Sequence, residues 1–276
     1  MLVTLKEILK LPTARKCAIG SFNTPNMASI RAVIAAAEEI GEPVILMHAQ
    51  IHEEMGLCRM DEIAPVMLLL ADKATVPVCV HLDHGTDLDY IKKGLDLGFT
   101  SVMYDGSTLD AEINFANTCI AREMSLRCGA SLEAEIGSMG AREGGGNEGS
   151  SIYTDPDAAK WFAEGTGIDA LACAFGTAHG LYLKQPQLDF DRLAKIKELV
   201  DIPLVMHGGS GVSLEDYARV ISLGIRKINY YTYMAKSGGT AVAKMSDTTF
   251  YHDIEVEAIR AMKEDAMGAI KVFAQK

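Results

Sequence analysis

Residues 76–89, "VPVCVHLDHGTDLD", begin as an apolar, β-branched run and end with His81, Asp83 and His84 packed into four residues. Such a run predicts a strand buried on both faces, and its polar end places ionisable groups at the strand's C-terminal end. Alternation sends Asp83 and His84 to opposite faces. Both can reach one site only if the strand ends there and Gly85 lets the chain turn. His81 shares a face with Asp83 one layer deeper and is read as a structural histidine, hydrogen-bonded inside the fold.

Seven further runs of this kind lie near residues 17–22, 43–48, 100–104, 130–136, 169–175, 202–207 and 226–231. An opening helix precedes them. Amphipathic segments separate them, such as "NMASIRAVIAAAEEIG" and "DAEINFANTCIAREMSLRCG", ending at Gly41 and Gly129, where C-terminal caps are expected. Eight strand–helix units in about 230 residues predict an α/β fold, a (β/α)8 TIM barrel with extra C-terminal helices. One domain is expected to span 1–276, with a helical extension from about 234 packing against a partner subunit in a homodimer or homotetramer. The glycine-rich stretch "GSMGAREGGGNEGSS", 137–151, is too long for an ordinary βα loop and reads as a mobile active-site lid carrying Arg142 and Glu143.

Composition excludes several roles. A formal net charge of -11 repels nucleic acid and anionic membranes. No apolar run approaches the roughly 18 residues of a membrane helix. The N-terminus "MLVTLKEILK" interleaves charges with apolar residues, unlike a secretory signal, so the cytoplasm is the expected location. The six cysteines are scattered without close pairs and read as reduced core residues.

In a barrel of this type the chemistry sits at the C-terminal ends of the strands. The polar residues collect there. Asp83 and His84 end the third strand, Asp105 follows the fourth, Glu135 lies near the end of the fifth, His179 follows the sixth, His207 ends the seventh and Asn229 lies in the eighth. Three of seven histidines thus fall at corresponding strand ends. Neutral imidazoles suit Zn2+, and three protein ligands leave a position open for substrate. After the seventh and eighth strands come "HGGSG" (207–211) and "NYYT" (229–232), whose backbone amides and hydroxyls can surround a phosphate where such barrels usually bind one.

These residues resemble the class II, metal-dependent ketose-bisphosphate aldolases, in the fructose- and tagatose-bisphosphate branch. The matching segments are "FNTPNMASIRAVIAAAEE", "HLDHG", "SVMYDGS", "EAEIGSMG", "GTAHGLY", "LVMHGGSGV" and "ISLGIRKIN". The resemblance implies a reversible cleavage of a ketose bisphosphate to dihydroxyacetone phosphate and an aldehyde. It makes His84, His179 and His207 the Zn2+ ligands, with Asp105 and Glu135 as supporting or alternative metal carboxylates. Asp83 becomes the acid/base for the aldehyde-derived hydroxyl, and Glu143 the second proton-transfer group. Asn23, Gly180, Gly208, Gly209, Ser210, Asn229 and Thr232 hold the substrate, and the backbone around Gly180 and Gly208 resembles a Na+ or K+ site.

The alternative route to this reaction, a lysine Schiff base, needs a lysine projecting into the barrel. None is expected, since Lys227 is read at the start of its strand and Lys184 on a loop. Departures from the family pattern concern the distal half of the substrate. Tyr231 and Tyr233 in "NYYTY" could narrow the pocket, Ala49 replaces a small polar residue, and His48 faces either the mouth or the helices. Arg142 stands where an acidic residue is common. Two rival readings follow: the same chemistry on a ketose 1-phosphate with an unphosphorylated or acidic distal end, or a sugar-phosphate-binding barrel without turnover. Retention of Asp83 and Glu143 argues against the last, because binding alone needs neither.

Overall fold

The computed structural model describes residues 1–137, 153–182, 185–245 and 250–276. Among them, nine strands form one parallel sheet: β1 (Leu2–Val3), β2 (Ile19–Asn23), β3 (Val44–Ala49), β4 (Val78–Gly85), β5 (Ser101–Tyr104), β6 (Ser131–Ile136), β7 (Ala170–Cys173), β8 (Leu204–Met206) and β9 (Ile225–Tyr230). Strands β2 to β9 follow one another around a closed barrel, which β2 and β9 join by the register Ser21 to Asn229. All eight expected barrel strands are present, with alternating helices outside them: a TIM barrel. The extra strand β1 adds to β4 through Leu2–Val78 and Val3–Cys79, where the sequence suggested only a helix.

That helix, Leu5–Ile8, starts at a Thr4–Glu7 capping box and closes the N-terminal end of the barrel. Its Leu5 and Ile8, with Leu9, pack on the inward-facing Ile19, Ile45, Met47, Cys79 and Val205. Outward-facing Val44, Leu46, Val80 and Leu82 pack on the surrounding helices instead. The alternation therefore holds along β4 up to Leu82. Beyond it the register to β5 shifts between Leu82 and Gly85, a β-bulge, and His84 takes a left-handed φ of 51°.

The bulge corrects the expected mechanism of the turn. His84 itself, not Gly85, adopts the unusual backbone, and it brings its ring round to the side Asp83 occupies. Gly85 is needed for closeness, because a Cβ there would lie 2.6 Å from Ile91 and 3.2 Å from the Met103 carbonyl. Gly41 and Gly129 cap their helices with φ of 72° and 68°, as expected. Two C-terminal helices, Thr232–Ala243 and Tyr251–Phe273, complete the described chain. The longer one packs on helix Met27–Ile40, where Lys263 pairs with Glu39 at 2.5 Å. No described helix is long and apolar enough to cross a membrane.

Candidate active site

His84, His179 and His207 converge at the C-terminal mouth, each offering a ring nitrogen within 4.8 Å of the others. Carboxylates fix which nitrogen points inward. His84 Nδ1 lies 2.7 Å from Asp105 Oδ2, leaving Nε2 for the centre. His207 Nε2 lies 3.0 Å from Glu133 Oε1, leaving Nδ1. The two inward nitrogens are 2.9 Å apart. Asp105 is in turn held by the Ser107 backbone N–H at 3.0 Å. Such carboxylate–histidine pairs orient metal-binding imidazoles.

Glu135 adds a second set with His84 and Asp105, again within 4.8 Å. Its Oε2 is buried without a hydrogen-bond partner and lies 3.8 Å from His207 Nδ1. An orphaned buried carboxylate oxygen beside converging imidazole lone pairs fits a divalent cation, and the nitrogen-rich set suits Zn2+. The electrostatics agree. Burial opposes charge on His84, but Asp83 and then Asp105 overcome it and raise its pKa to about 10. Burial, then the neighbouring His84, lowers His179 to about 3 and also depresses His207. Glu135 is pushed well up by burial and by Asp105. The field of this mouth therefore favours one concentrated positive charge beside neutral imidazoles.

Asp83 sits next to this centre between two amides. Its Oδ2 accepts from Asn23 Nδ2 and its Oδ1 from Asn229 Nδ2, each at 3.1 Å. Burial would raise its carboxyl, but His84 and His207 hold it well below the usual carboxylate range. Asn229 is oriented from beneath: its Oδ1 accepts from Lys227 Nζ at 2.7 Å, and the same ammonium meets both Glu133 oxygens at 3.1 and 3.0 Å. His81 lies alongside, bonded to Ser101 Oγ at 2.8 Å, in the structural place expected of it.

Lys227 is thus a correction. It is the third residue of β9, fully buried, and its ammonium does project into the barrel. Its position below the cavity and its ion pair with Glu133 keep it from acting as a free amine. Glu133 was missed, although period-two spacing in "LEAEI" puts it on the same inner face as Glu135. Lys227→Met should cost about 3–5 kcal/mol, because it leaves Glu133 charged and buried without its partner. Urea unfolding checks this; a loss below about 1 kcal/mol would show that the pair is dispensable.

The loops after β7 and β8 are tied together through Tyr182, whose hydroxyl accepts from Ala178 N at 2.8 Å and donates to Gly208 O at 2.9 Å. Gly208 has φ of 63°, and a Cβ there would lie 2.4 Å from the Ala178 carbonyl, so only glycine fits. Gly180, Gly209, Ser210 and Thr232 line the same cavity of about 320 Å³. Ser210 Oγ accepts from Tyr231 N at 3.1 Å, and Thr232 opens a helix whose N-terminal amides suit an anion.

The distal residues separate. Tyr231 lines the cavity, its ring 4.8 Å from that of His52. Tyr233 does not: it lies in another groove with Lys236 and Asp265, so of the two expected tyrosines only Tyr231 reaches this pocket, beside Tyr230. His48 turns toward the helices, 3.0 Å from the Tyr90 hydroxyl. His52, a wall residue, was not anticipated. Arg142, Glu143 and the whole stretch read as a lid beyond Gly137, with Lys184, lie outside the described residues.

The chain is similar to known proteins over nearly its whole length. The family described as "Fructose-bisphosphate aldolase class-II" matches residues 3–276. A fructose-bisphosphate aldolase of Geobacillus stearothermophilus is 41% identical over 233 residues, 84% of this chain and 81% of that protein. A 6-phospho-5-dehydro-2-deoxy-D-gluconate aldolase of Halalkalibacterium halodurans is 37% identical over 270 residues, 98% and 92% of the two chains. The crystal structure of the YdjI aldolase of Escherichia coli K12 superposes with a TM-score of 0.89 at 36% identity, covering 99% of this chain and 97% of that one. An eight-stranded barrel with three imidazoles at its mouth, matched from end to end at this identity, places the chain in the class II fructose-bisphosphate aldolase family.

Proposed function

We propose that this aldolase is Zn2+-dependent and reversibly cleaves a ketose 1,6-bisphosphate of the fructose or tagatose type into dihydroxyacetone phosphate and an aldehyde. The observation that carries the reading is Asp83, clamped by Asn23 and Asn229 beside His84 and its two companion imidazoles. Zn2+ held by His84, His179 and His207, with Asp105 and Glu135 in support, would serve as the Lewis acid for charge developing on the ketone oxygen. Asp83 takes the proton of the substrate hydroxyl as the carbon–carbon bond breaks, its depressed pKa keeping it ionised and able to accept. Ser210, Thr232, Asn229 and the backbone around Gly180, Gly208 and Gly209 hold the phosphate half. A Na+ or K+ ion near Gly180 and Gly208 belongs to the same proposal, as do the cytoplasm, a role in sugar catabolism such as glycolysis, and a homodimer or homotetramer of single-domain subunits.

A second reading keeps the chemistry and leaves the aldehyde unphosphorylated. It is favoured by one feature: no lysine or arginine is among the described residues lining the cavity. Retro-aldol assays on ketose 1-phosphates and 1,6-bisphosphates distinguish the two. Cleavage of none of them would contradict both.

Glu143 enters on family resemblance alone, as the group that exchanges the proton of the enediolate carbon. Glu143→Ala should then suppress deuterium wash-in to dihydroxyacetone phosphate, followed by NMR, by about 10²-fold or more. Normal wash-in would remove Glu143 from the reaction.

A further inference from the structure

His52 has no task in the mechanism above. It lies in the short helix Gln50–Glu54 that follows β3, and its ring forms part of the cavity wall with Ala49 and Ile51. The residue is 4% exposed, yet its Nδ1 has no hydrogen-bond partner. Buried polar atoms are almost always satisfied, and an imidazole that lines a cavity with one nitrogen unpaired is a place where a ligand can complete the ring's hydrogen bonding. Tyr231 holds the ring in place, with centroids 4.8 Å apart at 51°.

The location selects the half of the substrate. The phosphate end is assigned to the loops after β7, β8 and β9. Asp83 works on the hydroxyl of the aldehyde-derived carbon, and His52 feels the Asp83 charge from the β3 side. The chain beyond the cleaved bond therefore runs past Asp83 toward Ala49 and His52. The chemistry selects the group. Burial keeps this imidazole neutral, so it has one N–H and one lone pair. A hydroxyl both donates and accepts, so it can satisfy whichever ring nitrogen meets it. A phosphate or carboxylate only accepts, so it could pair with one tautomer alone and would gain no cationic partner from an imidazole that burial keeps neutral.

We infer that His52 is a specificity residue that hydrogen-bonds a hydroxyl of the aldehyde half of the substrate. The inference rests on the aldolase reading and adds to it a residue that selects among aldehydes by their hydroxyl groups. Neutral hydrogen bonds discriminate by about tenfold when one partner is removed.

The test is condensation with dihydroxyacetone phosphate, comparing kcat/KM for glyceraldehyde and glyceraldehyde 3-phosphate with lactaldehyde and 3-hydroxypropanal, each lacking one hydroxyl. The wild-type enzyme should prefer a hydroxylated aldehyde over one deoxy analogue by about tenfold or more. His52→Phe should bring that ratio close to one, and His52→Gln, which keeps a donor and an acceptor, should restore part of it. His52→Leu substitutes if the phenylalanine variant does not fold. An unchanged ratio in the apolar variants would overturn the role of His52 alone. A wild-type enzyme that condenses none of the aldehydes would overturn it together with the aldolase reading.

Discussion

Dialysis against a chelator should abolish turnover, and Zn2+ should restore it. The expectation follows from the mouth of the barrel. Asp105 and Glu133 each occupy one nitrogen of a histidine, and the remaining nitrogens converge with His179 on one point. Among the described residues, no lysine or arginine lines the cavity to stabilise an enediolate in place of a metal ion. Borohydride with substrate should trap no adduct, since the one lysine buried in the barrel core among the described residues is paired with Glu133. Two readouts are independent of activity. Zn2+ should raise the melting temperature in proportion to the logarithm of its concentration. Zn2+ uptake near pH 7 should also release protons, because the carboxylates hold one on His84 up to about 10. Full activity in chelator, or a borohydride-trapped lysine, would refute metal dependence.

Asp83→Asn should lower cleavage by about 10²–10⁴-fold. The substitution keeps shape and volume, so most of the loss belongs to proton transfer. It also turns a donor toward a donor, because Asn23 and Asn229 both aim amide N–H groups at this side chain, and one of those contacts must break. Zn2+ content, measured by elemental analysis, should stay near one ion per subunit, as the three histidines are intact. Deuterium exchange into dihydroxyacetone phosphate should persist, since that step involves no aldehyde oxygen. Cleavage within tenfold of wild type would reduce Asp83 to a charge that tunes its histidine neighbours.

The barrel was legible because each strand is a short β-branched run and the helices between them carry the longer period. The candidate metal set was legible for a related reason: strand ends are a topological address, so His84, His179 and His207 could be brought together without any distance. What lay beneath them was not. Lys227 acquires its meaning from Glu133, 94 residues away and across the barrel, and placing the start of β9 one residue late left Lys227 at the strand's edge, which hid the direction of its side chain. The separation of Tyr231 from Tyr233 depended on one helix boundary. Tyr231 still belongs to the approach, whereas Tyr233 has entered the helix that turns it away. His52 gave no periodic signal, since its interest comes from a missing partner.

The left-handed backbone at His84 bears on protein engineering. A regular pleated strand carrying the peptide His-Leu-Asp-His would display its aspartate and final histidine on opposite sides, so transplanting these four side chains into a different scaffold would not transplant the function. The portable unit is the bulge together with its glycine and the β5 neighbour that accepts the shifted register. A designer seeking this chemistry elsewhere should copy those dihedral angles first and choose the side chains second.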